Sequence, residues 1–143
     1  MRIRDVVAAK HEQKVITVTP GATVRELLAL LAEHNVGALV VSDDGSTVDG
    51  IVSERDVVRR LHADNEVLSA PVESIMTGEV HTCTPDDQLD DLMSLMTERR
   101  IRHVPVCEDD QLVGIVSIGD VVKHKIDALQ FERDQLDKYV HQT

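Results

Sequence analysis

The chain is 143 residues long, 42 % hydrophobic, and carries a net charge of −11. Its length suits one domain with a real core, and its acidity argues against nucleic acid or an anionic membrane surface as the main partner. It has no apolar run of about 18 residues that could span a membrane and no secretory signal in its charged start; with two cysteines it reads as cytoplasmic, in a reducing compartment.

In chain order, residues 3–7 read as a short helix leading into the first half, and 15–19 as a short strand. Thr23 opens a helix, with Glu26 completing a capping box and Val24, Leu27, Leu28 and Leu31 forming the apolar stripe. Residues 36–41 and 48–52 read as strands around the turn Asp43-Asp44-Gly45-Ser46, and Ser53 caps a helix reaching His62. A linker occupies 63–70, then a short helix over 71–76 leads into a second half. There, 80–84 is a strand, and Asp87 caps a helix with the stripe Leu89, Leu92, Met93 and Met96. Strands over 101–106 and 112–116 come next, and Ser117 caps the last helix. Pro105 cannot donate to a ladder, which predicts an edge or irregular position for its strand.

The expected division is 1–62 for the first repeat, 63–70 for the linker, 71–125 for the second repeat and 126–143 for a helical extension. Val122, Ile126, Leu129, Leu136 and Val140 make a heptad-like stripe on that last helix, with Arg133 at the missing position. It suits either packing on its own domain or, the favoured reading, a homodimer contact.

The two halves are copies. Gly50-Ile51-Val52-Ser53-Glu54-Arg55-Asp56-Val57-Val58 returns as Gly114-Ile115-Val116-Ser117-Ile118-Gly119-Asp120-Val121-Val122, identical at seven of nine positions. The offset is 65 residues between Thr17 and Thr82 and 64 between Gly50 and Gly114. Units of this size must pack on each other to bury a core. Ser-x-x-Asp after a strand is first a helix N-cap. The same geometry is an anion site: Ser53 or Ser117 could donate to a phosphate, Asp56 or Asp120 could accept from ribose hydroxyls, and Gly50 and Gly114 would let a ligand approach the backbone. The only aromatics, Phe131 and Tyr139, lie near the C-terminus, so base stacking is not expected in the repeats.

The order strand–helix–strand–strand–helix, the Gly-h-h-Ser-x-x-Asp ending and the Thr-x-x-Pro before the first helix resemble the cystathionine-β-synthase (CBS) domain, and two in tandem resemble a Bateman module. The resemblance covers about residues 1–125 and implies an α/β fold, with two repeats about a pseudo-two-fold axis. It also implies a regulatory sensor, not an enzyme, whose ligand is an adenosine nucleotide such as AMP, ADP, ATP or NAD, or S-adenosylmethionine. Two clefts built crosswise are implied. Cleft one would use Ile115, Ser117 and Asp120 with Thr17, Ala22, Val36, Gly37 and Ala38. Cleft two would use Ile51, Ser53 and Asp56 with Thr82, Asp87, Ile101, Arg102 and His103. Arg102, Arg55 and a protonatable His103 would bias cleft two toward phosphate, with Asp87 pulling the other way.

No cofactor is required by this reading, and the regulated protein partner is not specified. The rival is an assembly protein with vestigial clefts that dimerises through the last helix. His81, Cys83, His103 and Cys107 lack metal-ligand spacing, and no metal is expected. Cys83 and Cys107 are read as a reduced pair, with a redox-sensitive disulfide as the lesser alternative.

Overall fold

The computed structural model describes residues 1–10 and 15–141. Its elements are α1 (Ile3–Ala8), β1 (Thr17–Val18), α2 (Val24–His34), β2 (Ala38–Val41), β3 (Gly50–Ser53), α3 (Glu54–Ala63), 3-10 turns at Val67–Ser69 and Val72–Ser74, α4 (Leu89–Arg99), β4 (His103–Glu108), β5 (Gln111–Ser117) and α5 (Ile118–His141). This is the expected α/β pair of repeats ending in a long helix.

Local chemistry sets the helix starts. Thr23 Oγ1 accepts from the Glu26 N–H, and the Glu26 carboxylate accepts from the Thr23 N–H, the reciprocal box that the sequence predicts. Val24, Leu27 and Leu31 of α2 are buried. The first sheet has the order β1-β2-β3, with β1 parallel and β3 antiparallel to β2. Between β2 and β3, the exposed Asp44 carboxylate is held down to about 2 by the Thr47 and Ser46 N–H groups, then by the Thr47 and Ser42 hydroxyls.

The second copy departs from expectation in two places, and its proline strand is irregular as expected. The strand expected over 80–84 shrinks to one bridge between Cys83 and Val106. Asp87 does not cap α4: its carboxylate accepts from the Thr84 N–H at 2.9 Å, and Gln88 takes the cap position without a side-chain bond. Pro105 lies in β4, which faces β5 on one side and Cys83 on the other. The Cys83 N–H donates to the Pro105 carbonyl and the Cys107 N–H to the Cys83 carbonyl. The imide nitrogen therefore faces the side where pairing is reduced to one bridge, so little is lost. The register shifts between Val106 and Cys107, the irregularity that proline suggests.

The leading segments are exchanged. The core around Val24, Leu27, Leu39 and Val52 is completed by Val67, Val72 and Ile75, from the linker and the short helix expected to serve the second half. The core around Leu89, Leu92, Val104 and Val116 is completed by Ile3 and Val6 of α1. Matching backbone bonds fix both crossings. Val72 N–H donates to Ala22 O at 2.8 Å and Val24 N–H to Ala70 O at 3.0 Å; Ile3 N–H donates to Asp87 O and Leu89 N–H to Met1 O, each at 3.0 Å. Each half is thus closed by the segment that precedes the other.

The repeated glycines serve this exchange. A Cβ on Gly50 would stand 2.6 Å from Met76 Sδ and 2.9 Å from Thr77 O, and one on Gly114 would stand 3.1 Å from Val7 Cγ1. The close approach is made by the crossing chain, and the ligand approach expected at these glycines is corrected accordingly.

Candidate functional site

β3 runs into α3 through Ser53, and β5 into α5 through Ser117, so each motif sits where a strand end meets a helix N-terminus. Ser53 N–H donates to Asp56 Oδ2 at 2.8 Å, Ser53 Oγ donates to the same oxygen at 3.2 Å, and Asp56 N–H donates to Ser53 Oγ at 3.4 Å. Asp56 Oδ1 takes part in none of these bonds. The second motif repeats the arrangement, with Ser117 N–H to Asp120 Oδ2 at 2.9 Å and Asp120 N–H to Ser117 Oγ at 3.1 Å. Both motifs are therefore working caps.

A cavity of about 400 Å³ opens at the first motif and is lined from both repeats. Ile51, Ser53, Glu54, Arg55, Asp56 and Arg59 form one wall; Arg100, Ile101, Arg102 and His103 form the other, with Gly37, Ala38 and Thr77 between. The volume falls within the range of roughly 300–1,000 Å³ found for small-molecule sites. The structure thus joins Ile51, Ser53 and Asp56 to Ile101, Arg102 and His103, the crosswise set expected for cleft two. It adds Gly37 and Ala38, expected in cleft one, because Gly37 lies beside the His103 ring: a Cβ built on Gly37 would stand 3.7 Å from His103 Cε1. Thr82 and Asp87 are elsewhere, in a pocket with Ile3, Cys83 and Asp91.

The second motif differs. Lys10 Nζ ion-pairs with Asp120 Oδ2 at 2.9 Å and donates to Ile115 O at 2.8 Å. A pocket of about 320 Å³ beside Asp120 lies between α1 and α5, lined by Lys10, Lys123, His124 and Asp127. Thr17 pairs with Val40 in the first sheet, Ala22 packs on the first core, and Val36 is exposed after α2. These three line neither this pocket nor the cavity at Ser53.

Burial raises the Asp120 carboxyl, but the Ser117 N–H and the Lys10 ammonium outweigh it and leave the group below its ordinary value. Burial pushes the His103 imidazole below its ordinary value, aided by Lys10 and Arg102 and opposed by Asp120 and Glu54. His103 is therefore a neutral donor or acceptor near neutral pH, where the sequence suggested a cation.

Arg59, Arg100 and Thr77 were missed by sequence reasoning. Arg59 carries a signal, standing one helical turn after Arg55. Thr77 carries none, because its two backbone bonds with Ile51 (3.0 and 2.9 Å) depend on the exchanged segment. Both cysteines are free, and burial pushes the Cys83 thiol up to about 12. Among the described residues no group of three or more His, Cys, Asp or Glu is placed to hold a metal ion, and no helix is long and apolar enough to cross a membrane.

The CBS domain family profile matches residues 3–63 and 72–127. The CBS-domain containing protein ATU1752 from Agrobacterium tumefaciens superposes with a TM-score of 0.83 at 39 % identity, covering 87 % of this chain and 99 % of that one. The CBS domain-containing protein YhcV of Bacillus subtilis is 34 % identical over 113 residues, 79 % of this chain and 80 % of its own. The CBS domain pair of MJ0100, solved with 5′-methylthioadenosine and S-adenosyl-L-methionine, superposes with a TM-score of 0.78 at 26 % identity, covering 90 % of this chain and 98 % of that one.

Proposed function

The chain belongs to the CBS-domain family, and we propose that it is a regulatory module binding an adenosine-containing nucleotide of the AMP, ATP or NAD kind, without turnover, in the cavity between its repeats. The carrying observation is the facing of Ser53 and Asp56 by Ile101 and His103 across one cavity. Asp56 Oδ1 can accept from ribose hydroxyls and the α3 N-terminus favours an anion. Ile51, Ile101 and Ala38 offer an aliphatic slot for a base, which suits repeats without aromatics. The adenosine ligands of the MJ0100 pair support the same class.

A ligand bridging both walls shifts the relative placement of the repeats only by its differential affinity for the two states. The Ser53 and Ser117 hydroxyls are engaged in their own helix caps, which supports binding without chemistry. A reducing compartment such as the cytoplasm suits the two free cysteines. Thermal unfolding with AMP, ADP, ATP, NAD and S-adenosylmethionine tests the reading. A ligand at 100 times its dissociation constant adds about 2.7 kcal/mol of stability. No shift with any of them refutes it, and consumption of ATP or NAD by the purified chain refutes the claim of no turnover.

A second reading, assembly through α5, is favoured by one observation. Ile126, Leu129, Leu136 and Val140 are between 49 % and 64 % exposed, an apolar stripe suited to a second copy of the chain. The two readings are compatible, since a dimer gives a nucleotide signal somewhere to act.

A further inference from the structure

We infer that α5 pairs antiparallel with α5 of a second copy of the chain, the two helices centred on each other at Phe131, so that Val122 faces Val140, Ile126 faces Leu136 and Leu129 faces Arg133. This rests on the assembly reading above and is independent of the nucleotide reading. The family profile ends at residue 127, so most of this contact lies outside what defines the family. α5 has two distinct faces. Ile118, Val121, His124, Lys125 and Ala128 are buried or half-buried, and Lys125 Nζ holds Asp90 Oδ1 at 2.9 Å. Val122, Ile126 and Leu129 each follow one of these residues, which sets the apolar stripe about 100° round the helix from them. From Leu129 to His141 every residue is exposed, yet the helix runs on to His141. So short a length of helix is marginal alone in water, and in proteins the packing of an apolar face supplies most of its stability.

The spacing of the stripe allows either orientation, and the charges choose between them. Val122, Leu129 and Leu136 take the d positions of a heptad, and Ile126, Arg133 and Val140 the a positions. In a parallel pair Arg133 would meet its own copy inside the seam, and Glu132 would flank Asp137 of the other helix on both sides. Every one of those contacts is between like charges. In the antiparallel pair Arg133 lies against the aliphatic Leu129 and within reach of Glu132 of the other copy. Lys123 then faces Asp137 of the other copy, and symmetry makes that pair twice. The one like-charge contact left is Glu132 with its own copy at the centre, where the two Arg133 side chains flank it. Among the described residues none of Lys123, Glu132, Arg133 and Asp137 has an ion-pair partner in its own chain, so the pairing breaks nothing to form these. Sliding one helix by a heptad takes apolar residues out of the seam, whereas the register centred on Phe131 covers the whole stripe.

Cross-linking of the full chain tests the orientation. Ile126 and Leu136 stand roughly 15 Å apart along one helix, too far for a disulfide within the chain. The double variant Ile126→Cys/Leu136→Cys is expected to give a disulfide-linked dimer on mild oxidation, while neither single variant nor the wild type does. A linked dimer from Leu136→Cys alone marks a parallel pair, which overturns the orientation and leaves the assembly reading standing. Charge exchange, read by sedimentation equilibrium, is the second measurement. Lys123→Glu and Asp137→Lys are each expected to weaken the dimer by at least roughly threefold, and the two together to restore it to within that factor. All four positions are exposed, so the fold of the single chain does not depend on them. A stable dimer that no cysteine variant links, or a loss that the double exchange does not restore, overturns the antiparallel pairing. A full-length monomer at micromolar concentration overturns it together with the assembly reading.

Discussion

Lys10 Nζ stands 2.9 Å from Asp120 Oδ2 and donates to the Ile115 carbonyl at 2.8 Å. Asp120 is the second-repeat counterpart of Asp56, so a lysine of the chain itself holds the carboxylate whose counterpart the first motif presents to its cavity. The exchange of leading segments explains how: α1 packs on the second repeat, and the residues after it reach that repeat's motif. At the pseudo-symmetric place after the other short helix, Thr77 pairs with Ile51 by its backbone and leaves Asp56 to the cavity.

Lys10→Ala is expected to free the second motif. Calorimetry with the tightest nucleotide should then show a second binding event per chain, where the wild type shows one. The ion pair is partly exposed, with 29 % and 26 % of its side chains accessible, so the substitution should cost no more than about 1 kcal/mol of stability. Unchanged stoichiometry would show that the lysine is not what separates the two halves.

Asp56→Asn is expected to weaken nucleotide binding by about 1–3 kcal/mol, roughly fivefold to 150-fold. An amide keeps one acceptor oxygen for the Ser53 cap, so the fold should hold, but it replaces a carboxylate oxygen with a donor. Asp120→Asn should change the wild-type affinity far less, because Asp120 is already held by Lys10. Equal losses in the two variants would return the motifs to equivalence.

The Thr23 cap, both apolar stripes and both Ser-x-x-Asp turns were legible in the sequence because each depends on residues three or four apart. The first sheet was legible for the same reason, from apolar runs around turn residues. The partners of the two leading segments were not. Ile3-Arg4-Asp5-Val6-Val7 and Val72-Glu73-Ser74-Ile75-Met76 look alike, and nothing local tells either which half to enter. Gly50 and Gly114 were visible as a repeated signal, yet the chain crossing them could only be seen once the halves were packed. The same crossing moved Thr77 into the cavity. The Asp87 cap failed for a local reason: the Thr84 N–H, three residues upstream, competes for its carboxylate.

Gly50→Ala should therefore destabilise the protein even though that glycine does not line the cavity. The new methyl would meet Met76 Sδ at 2.6 Å and the backbone Thr77 O at 2.9 Å. The methionine can swing away but the carbonyl cannot without breaking its bridge to Ile51. A loss of about 1–3 kcal/mol is expected, read from urea denaturation. Gly114→Ala is crowded by Val7 side-chain carbons at 3.1 and 3.3 Å and meets Val106 Cβ at an ordinary 3.9 Å, and should cost less. The reverse order would disprove the account of these glycines.

Stability should fall as the pH drops below the ordinary histidine value of 6.5, in part through His103. Its pKa is lowered in the folded protein, so the unfolded chain takes up the proton first. Between that folded value and 6.5, the unfolded state binds more protons, and the free energy of unfolding rises with pH. His103 thus contributes stability that is present above 6.5 and lost on acidification. Replacing it with glutamine, which cannot titrate, should flatten the profile in that window, measured by denaturation at a series of pH values. Asp120 acts at lower pH with the same sign: its depressed pKa stabilises the fold above the ordinary carboxylate value and is lost as the pH falls through the folded one. A profile that His103→Gln leaves unchanged would remove His103 from the titrating groups.

The apolar stripe of α5 makes a prediction about size in solution. Val121, in the first turn, is fully buried in the second core, while Val122, Ile126 and Leu129 are 44 %, 49 % and 57 % exposed and Leu136 and Val140 are 64 % and 63 % exposed. The helix leaves its own domain after its first turns and carries the same spacing of apolar residues outward. Each exposed aliphatic side chain gains about 1.5–3 kcal/mol if fully buried, and Arg133 sits in the stripe where a charge can fix which way a second helix lies. A chain ending at Lys125 should retain nucleotide binding, because none of the cavity residues lies beyond it, and should be monomeric where the full chain is a dimer. Light scattering of both at micromolar concentration decides this. A full-length monomer would rule out self-association through α5 and leave the stripe to a different protein.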